Sequence, residues 1–93
     1  MPATLSTTRR ARIVYLLHRG CVEIRCLAQA HGDYQEIADL ADIMEWLPRF
    51  LDDEPGDESW DTIREQIENY GRKYPRSGER LVRYLSEPIP ARY

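Results

Sequence analysis

The chain has 93 residues, of which 42% are hydrophobic and 31% are charged, and its formal net charge is -3 at pH 7. Its length predicts one domain with one modest core, and its balance of residue types excludes collagen-like and largely disordered classes. No apolar run approaches the roughly 20 residues of a membrane-spanning helix, and residues 1–6 lack the apolar segment of a signal peptide. We therefore expect one domain over residues 1–93 and a cytoplasmic location.

The charge is unevenly distributed along the chain. Residues 1–32 carry five arginines and one acid, residues 33–68 carry thirteen acids and two arginines, and residues 69–93 carry six basic and two acidic residues. The isoelectric point of about 5.3 and the acidic middle segment argue against direct binding to nucleic acid. Because the arginines that follow residue 8 would oppose the dipole of a helix that begins there, we expect them to have acidic partners, mostly within the chain.

The first predicted helix covers residues 7–31. Hydroxyl side chains at residues 6–8 are N-cap candidates, and apolar residues then recur every three or four positions. The phase continues through Gly20, which favours one helix over a turn at residues 18–20, and Gly32 is the expected left-handed residue after the end of the helix. The predicted buried stripe consists of Ile13, Val14, Leu17, Cys21, Ile24, Leu27 and Ala28.

A second helix is predicted from the capping box that begins at Asp33, and Pro48 ends or kinks this helix. Its predicted buried stripe consists of Ile37, Leu40, Ala41, Met44 and Leu47. Four acids lie on the opposite face, where we expect them to be solvated: Glu36, Asp39, Asp42 and Glu45. Residues 52–57 then form a charged loop that contains a Pro-Gly pair.

A third helix is predicted from Glu58 or Ser59 to Lys73, and a short fourth helix over residues 78–86 after a break at residues 74–78. The core face of the third helix is predicted to be Trp60, Ile63, Ile67, Tyr70 and Tyr74. The fold class is therefore all-α, a small antiparallel bundle of three longer helices plus a short C-terminal helix. Residues 1–6 and 87–93 are expected to be flexible tails.

The two cysteines, Cys21 and Cys26, do not predict a disulfide or a metal site. On one helix their side chains diverge by about 140° around the axis, which excludes an intramolecular disulfide, and their spacing is not that of a zinc ligand pair. We expect Cys21 to be a buried, unreactive thiol. We predict no metal ion, no cofactor and no catalytic residue.

Two pairs of carboxylates carry a distant resemblance to a known enzyme family. Glu36 and Asp39 on the second helix, and Glu65 and Glu68 on the third, resemble the acidic pairs on adjacent helices of the MazG-type all-α nucleotide pyrophosphohydrolases. The resemblance implies Mg²⁺-dependent hydrolysis of a nucleoside triphosphate, with these four residues as ligands. Because carboxylates opposite an apolar stripe are ordinarily solvated, this enzyme is the alternative interpretation.

The favoured interpretation is a protein-binding module whose acidic surface meets a basic protein. The predicted binding residues are Glu36, Asp39, Asp42, Glu45, Trp46, Asp52, Asp53, Glu54 and Asp57. Small acidic helical proteins of the toxin-immunity type, or phage inhibitors of host defence, act in this way. Two other hypotheses stay open: an acidic face that only keeps the protein soluble, and a homodimer formed through Trp60, Tyr70 and Tyr74.

A further resemblance extends over roughly residues 13–75. Val22-Glu23-Ile24-Arg25, then Ile37-Ala38-Asp39-Leu40-Ala41-Asp42 and Leu47-Pro48, resemble a group of small uncharacterised bacterial helical proteins. In that group a His-Asn pair stands where this chain has Glu45-Trp46. The resemblance implies a helical fold and no particular activity.

Overall fold

The computed structural model describes residues 8–93, and that part of the chain contains helices and no strand. The helices are α1 (Arg9–Gln29), α2 (Tyr34–Trp46), α3 (Asp57–Lys73) and α4 (Pro75–Tyr84), with a 3-10 turn at Leu47–Phe50. The all-α prediction is thus confirmed, whereas the predicted tail at residues 1–6 lies outside the described residues. None of these helices is both long enough and apolar enough to cross a membrane.

α1 begins at Arg9 because the hydroxyl of Thr8 accepts a hydrogen bond from the Ala11 backbone N–H at 3.1 Å. The helix is continuous through Gly20, as the phase of the apolar residues predicts. Gly20 is buried, and a Cβ at this position would overlap the sulfur of Met44. The missing side chain therefore makes room for α2 to pack closely against α1.

The end of α1 differs from the prediction by one residue. His31, not Gly32, takes the left-handed conformation, with φ of 55°. The backbone N–H of Gly32 donates to the carbonyl of Leu27 at 2.7 Å, and that of His31 to the carbonyl of Ala28 at 3.2 Å. This pair of bonds is a Schellman motif in which Gly32 is the second residue beyond the cap.

The buried face of α1 is rotated relative to the predicted stripe. Val14 is 45% exposed, and Cys21 and Ala28 are also exposed, so the predicted burial of Cys21 is wrong. The residues of α1 that are buried are Ile13, Tyr15, Leu16, Gly20 and Glu23. This face is wide because α1 packs against both α2 and α4.

The core prediction for α3 is largely confirmed. Ile63 and Ile67 are fully buried and Tyr70 is 5% exposed, while Trp60 and Tyr74 are half-buried and pack against the core. The other fully buried apolar side chains of the core are Ile13, Leu16, Leu40, Leu47 and Leu81. One apolar cluster therefore joins all four helices and the 3-10 turn.

The break between α3 and α4 is shorter than predicted. Only Tyr74 separates the two helices, and Pro75 is the first residue of α4, a position that suits proline because its missing N–H would have no helical partner there. A Cβ on Gly78 would overlap the Cα of Gly71. These two glycines allow the backbones of α3 and α4 to meet directly.

The segment after α4 lies along α1. Arg12 donates to the backbone carbonyls of Tyr84 and Glu87, and the Tyr15 hydroxyl donates to the Glu87 carboxylate at 2.8 Å. The ring of Tyr93 packs edge-on against Tyr15, with 5.1 Å between the ring centroids. Residues 87–93, predicted to be a tail, thus contact the first helix at Arg12, Tyr15 and His18.

Candidate protein-binding surface

The nine predicted binding residues lie on α2, on the loop after the 3-10 turn, and at the start of α3. The Asp33 carboxylate fixes the start of α2 by accepting hydrogen bonds from the backbone N–H groups of Gln35 and Glu36. From this start, the acids of α2 recur every three residues, so each lies next to the following one while the row winds around the helix, and Glu36 and Glu45 lie on roughly opposite sides. The structure divides the predicted acids into those with a bonding partner within residues 8–93 and those without one.

Glu36 and Asp39 belong to the first group. The Ser77 hydroxyl donates to the Glu36 carboxylate at 2.5 Å, and the Lys73 ammonium lies 2.9 Å from the Asp39 carboxylate. The side chain of Asp39 is 24% exposed. The predicted solvated face is therefore wrong for these two acids, because the start of α2 packs towards the junction of α3 and α4.

The bonds to Asp39 also lower the pKa of its carboxyl group. The hydroxyl of Tyr74, at 2.6 Å, and the ammonium of Lys73 lower the pKa of Asp39 from 3.8 to about 2. The same bonds raise the pKa of both donors, Lys73 and Tyr74. Asp39 is thus an ionised carboxylate that holds α2 to the end of α3.

Glu54 and Asp57 hold the loop to the first helix. The Glu54 carboxylate accepts from the backbone N–H of Arg9 at 2.6 Å, and the Arg9 guanidinium lies 2.9 Å from the Asp57 carboxylate. These contacts confirm acidic partners within the chain for Arg9. The guanidinium of Arg12 instead donates to backbone carbonyls of the C-terminal segment.

The remaining four acids, Asp42, Glu45, Asp52 and Asp53, are exposed. Within residues 8–93 none of them has a hydrogen-bond or ion-pair partner on another side chain. Trp46, one residue after Glu45, is half-buried and packs edge-on against Phe50 with 4.8 Å between the ring centroids. The structure thus leaves a smaller acidic surface beside an aromatic side chain.

One of these four acids, Asp42, lines a groove between α2 and α3. One part of the groove, of about 420 Å³, is lined by Asp42, Ile43, Trp46, Thr62 and Gln66. A second part, of about 260 Å³, shares three of these residues and continues towards Asn69 and Lys73. We call the two parts together the α2–α3 groove.

Thr62 and Gln66 were not among the predicted binding residues. They are exposed and uncharged, and each immediately precedes a buried core position of α3, Ile63 or Ile67. The one sequence feature that could have indicated a role in binding is their position at the edge of the predicted core face of α3, next to the neighbouring helix. A search restricted to charged and aromatic side chains passes over such residues.

A second polar cluster, also not predicted, joins α1 to α4. Glu23 is 5% exposed and accepts three hydrogen bonds from the Arg80 guanidinium and one from the Tyr84 hydroxyl at 2.9 Å. Burial alone would raise the pKa of Glu23, but the bonds from Arg80 and Tyr84 outweigh it and the pKa is lowered. Arg19 donates to the Tyr84 hydroxyl at 3.2 Å, while its buried Nε atom has no partner in the described residues.

A cleft of about 740 Å³ lies between the end of α1 and the start of α4. Its lining includes Cys26 and Glu36 together with three basic residues, Lys73, Arg76 and Arg80. Lys73 and Arg80 are already paired with carboxylates, those of Asp39 and Glu23. The cleft therefore presents little uncompensated charge for a ligand.

The four ligands implied by the MazG-type resemblance do not form a metal site. Glu36 and Asp39 bond to Ser77 and Lys73, whereas Glu65 and Glu68 are exposed on α3. Across residues 8–93, no three histidine, cysteine, aspartate or glutamate side chains are placed to hold one ion. The implied ligand set is thus wrong for this chain.

The apolar surface predicted for a homodimer is also not formed as expected. Tyr70 is buried and shares a 2.8 Å hydrogen bond with Ser77. Burial raises the pKa of Tyr70 to about 12. Trp60 and Tyr74 pack against the core, so these three residues do not present an exposed apolar face.

No protein-family model, curated protein or solved structure matches this chain.

Proposed function

We propose that the protein is a protein-binding module that engages a basic surface on another protein. The observation that carries the proposal is the group of four exposed acids, Asp42, Glu45, Asp52 and Asp53, whose charges have no side-chain partner within residues 8–93. Asp42 lines the same groove as the half-buried Trp46, and Glu45 precedes Trp46 in the chain. Unpaired carboxylates beside an aromatic side chain favour association with Lys- and Arg-rich surfaces.

The internal bonds of the other acids support this division of roles. Glu36, Asp39, Glu54 and Asp57 stabilise the positions of α2 and the loop, and the four exposed acids are then held on a fixed scaffold. Fixed charges lose less conformational freedom on binding than mobile charges do. In this proposal the helices form a small antiparallel bundle, which their short connections favour.

Within this class we favour a cytoplasmic inhibitor of a basic or nucleic-acid-handling protein, of the toxin-immunity or phage anti-defence type. An acidic surface can occupy the site on such a target that otherwise meets phosphate groups. The resemblance to small bacterial helical proteins stays a prediction. So does the formation of a homodimer.

The test is capture of partners from a lysate of the source cell by the wild type and two variants. The test variant carries Asp42→Lys, Glu45→Lys and Asp53→Lys, and the matched control carries the same charge change on other exposed acids, Glu65→Lys, Glu68→Lys and Glu79→Lys. Each capture is made at about 0.15 M and 0.5 M salt, where exposed charges are screened over about 8 Å and 4 Å.

The expected result is a basic protein, identified by mass spectrometry, that the wild type and the control variant retain at low salt. The test variant should lose this protein, and high salt should weaken its capture. A partner that both variants retain equally at both salt concentrations would contradict the proposal.

A further inference from the structure

The shape of the α2–α3 groove indicates what type of partner segment can bind in it. Its floor is apolar, formed by the half-buried Ile43 and Trp46, and its two parts join through Asp42, Ile43 and Gln66. Along α3 the wall runs from Thr62 to Asn69, seven residues or about 10 Å of helix. A groove of this length accommodates the side chains of about two helical turns.

The two walls of the groove differ in charge. The α2 wall carries Asp42, with Glu45 exposed nearby on the same helix, and these two acids have no side-chain partner in the described part of the chain. The α3 wall carries the uncharged residues Thr62, Gln66 and Asn69. The ion pair between Asp39 and Lys73 lies at the far end of the groove.

We propose that the α2–α3 groove binds a basic amphipathic helix of the partner protein. This inference rests on the proposed function and specifies how the partner is recognised. Apolar side chains at i, i+3 or i+4 and i+7 would contact Ile43 and Trp46, as in other helix-in-groove complexes. Lysine or arginine side chains on one flank of that helix would lie beside Asp42 and Glu45, and uncharged side chains beside Gln66.

A helix fits this surface better than an extended strand. Strand addition needs a sheet edge with free backbone groups, and residues 8–93 contain no strand. The groove walls are two helices whose own backbone bonds are satisfied within each helix. Recognition must therefore come from side chains, which a helix presents on one face at regular spacing.

The test uses two synthetic peptides of 18 residues with identical composition. One places leucines at helical spacing with lysine and arginine on one flank, and the other has the same residues in scrambled order. The protein carries Trp60→Phe, which leaves Trp46 as its only tryptophan, because the chain has two. Titration then follows the emission of Trp46 at about 0.15 M salt.

Two further variants locate the binding site. Gln66→Tyr fills the groove at one of the three residues that its two parts share, and Gln29→Tyr is the matched control at an exposed position of α1 outside the groove. Circular dichroism melts of both variants confirm that each is folded. Neither substitution changes the charge, so both leave the electrostatic attraction of the acids intact.

The amphipathic peptide should bind at least tenfold more tightly than the scrambled peptide and should shift the emission of Trp46. Gln66→Tyr should weaken this binding at least tenfold, and Gln29→Tyr should leave it unchanged. Equal binding of the two peptides, or binding that Gln66→Tyr does not weaken, would overturn the groove inference.

The capture experiment separates this inference from the proposed function. If a basic partner is lost in the Asp42, Glu45 and Asp53 lysine variant while the two peptides bind equally or not at all, recognition by charge stands and the helix-in-groove mode is overturned. If no captured partner depends on the acids and the two peptides bind equally or not at all, both proposals fail.

Discussion

Glu23 on α1 and Arg80 on α4 form a bidentate ion pair, with Arg80 Nη2 2.8 Å from Glu23 Oε1. The carboxylate is almost completely buried, whereas the arginine side chain is 42% exposed. The pair fixes the distance between the first and last helices of the molecule. Removing the arginine leaves a buried carboxylate whose remaining donor is the Tyr84 hydroxyl.

Arg80→Met should therefore lower the free energy of unfolding by about 2 kcal/mol, because an unpaired buried charge is unfavourable. Arg83→Met is the matched control, since Arg83 is an exposed arginine on the same helix, and it should change stability by less than about 0.5 kcal/mol. Urea unfolding followed by circular dichroism measures both values. Equal stability of the two variants would show that the ion pair contributes nothing.

Gly78→Ala should be among the most destabilising single substitutions. The added methyl group would overlap the Cα of Gly71, and backbone cannot move aside as a flexible side chain can. We expect a loss of about 3 kcal/mol, or failure to fold. Gly56→Ala is the control, because a Cβ there meets no atom within 4 Å, and its effect on the thermal midpoint should be small. Similar melts for the two variants would contradict the close contact of α3 with α4.

The bonds to Asp39 predict a pH-dependent contribution to stability. Its pKa is about 2 in the folded protein and 3.8 ordinarily, so the ionised carboxylate stabilises the fold above about pH 4 and this contribution is lost as pH falls towards 2. Asp39→Asn removes the titrating group, so the wild type should exceed it in stability at pH 5 and the difference should vanish near pH 2. Asp42→Asn, at a position without an internal side-chain partner, should track the wild type across the range. A difference in stability between the wild type and Asp39→Asn that does not change with pH would contradict the lowered pKa of Asp39.

Both thiols should be accessible in the folded protein. Cys21 and Cys26 are exposed on α1, so iodoacetamide should modify both under native conditions, at rates within about tenfold of those in urea. Intact-mass spectrometry over time counts the modified thiols. If Cys21 reacts a hundredfold or more slowly in the folded protein than in urea, its thiol is buried. That result would contradict the observed orientation of α1.

The sequence predicts the buried face of α3 well and the buried face of α1 poorly, for a physical reason. α3 has a single buried side, so one stripe of apolar residues, including Ile63 and Ile67, is sufficient to place it. α1 is enclosed by α2, by α4 and by the C-terminal segment, and its wide buried face includes Tyr15 and Glu23. A hydrophobic pattern does not predict that a glutamate is buried. The partner that allows Glu23 to be buried, Arg80, is 57 residues away in the sequence.

The sequence predicts the acidic surface from residue types alone, and the structure separates the acids that have partners within residues 8–93 from those that have none. Counting acids could not show which ones have partners, since the donors on α3 and α4 to Asp39 and Glu36 lie 34 to 41 residues further along the chain. The groove was missed because its α3 wall is uncharged. Trp46, next to the apolar stripe, is the only aromatic residue among the nine predicted binding residues, and it lines the groove.

The most direct measurement is an amide chemical-shift map of the protein with its captured basic partner at about 0.15 M salt. We predict the largest shifts at Asp42, Ile43, Glu45, Trp46 and Gln66, with smaller shifts at residues 52–53. Shifts concentrated instead around the cleft at Cys26 and Arg76, or along the exposed side of α1, would contradict binding through the acidic surface.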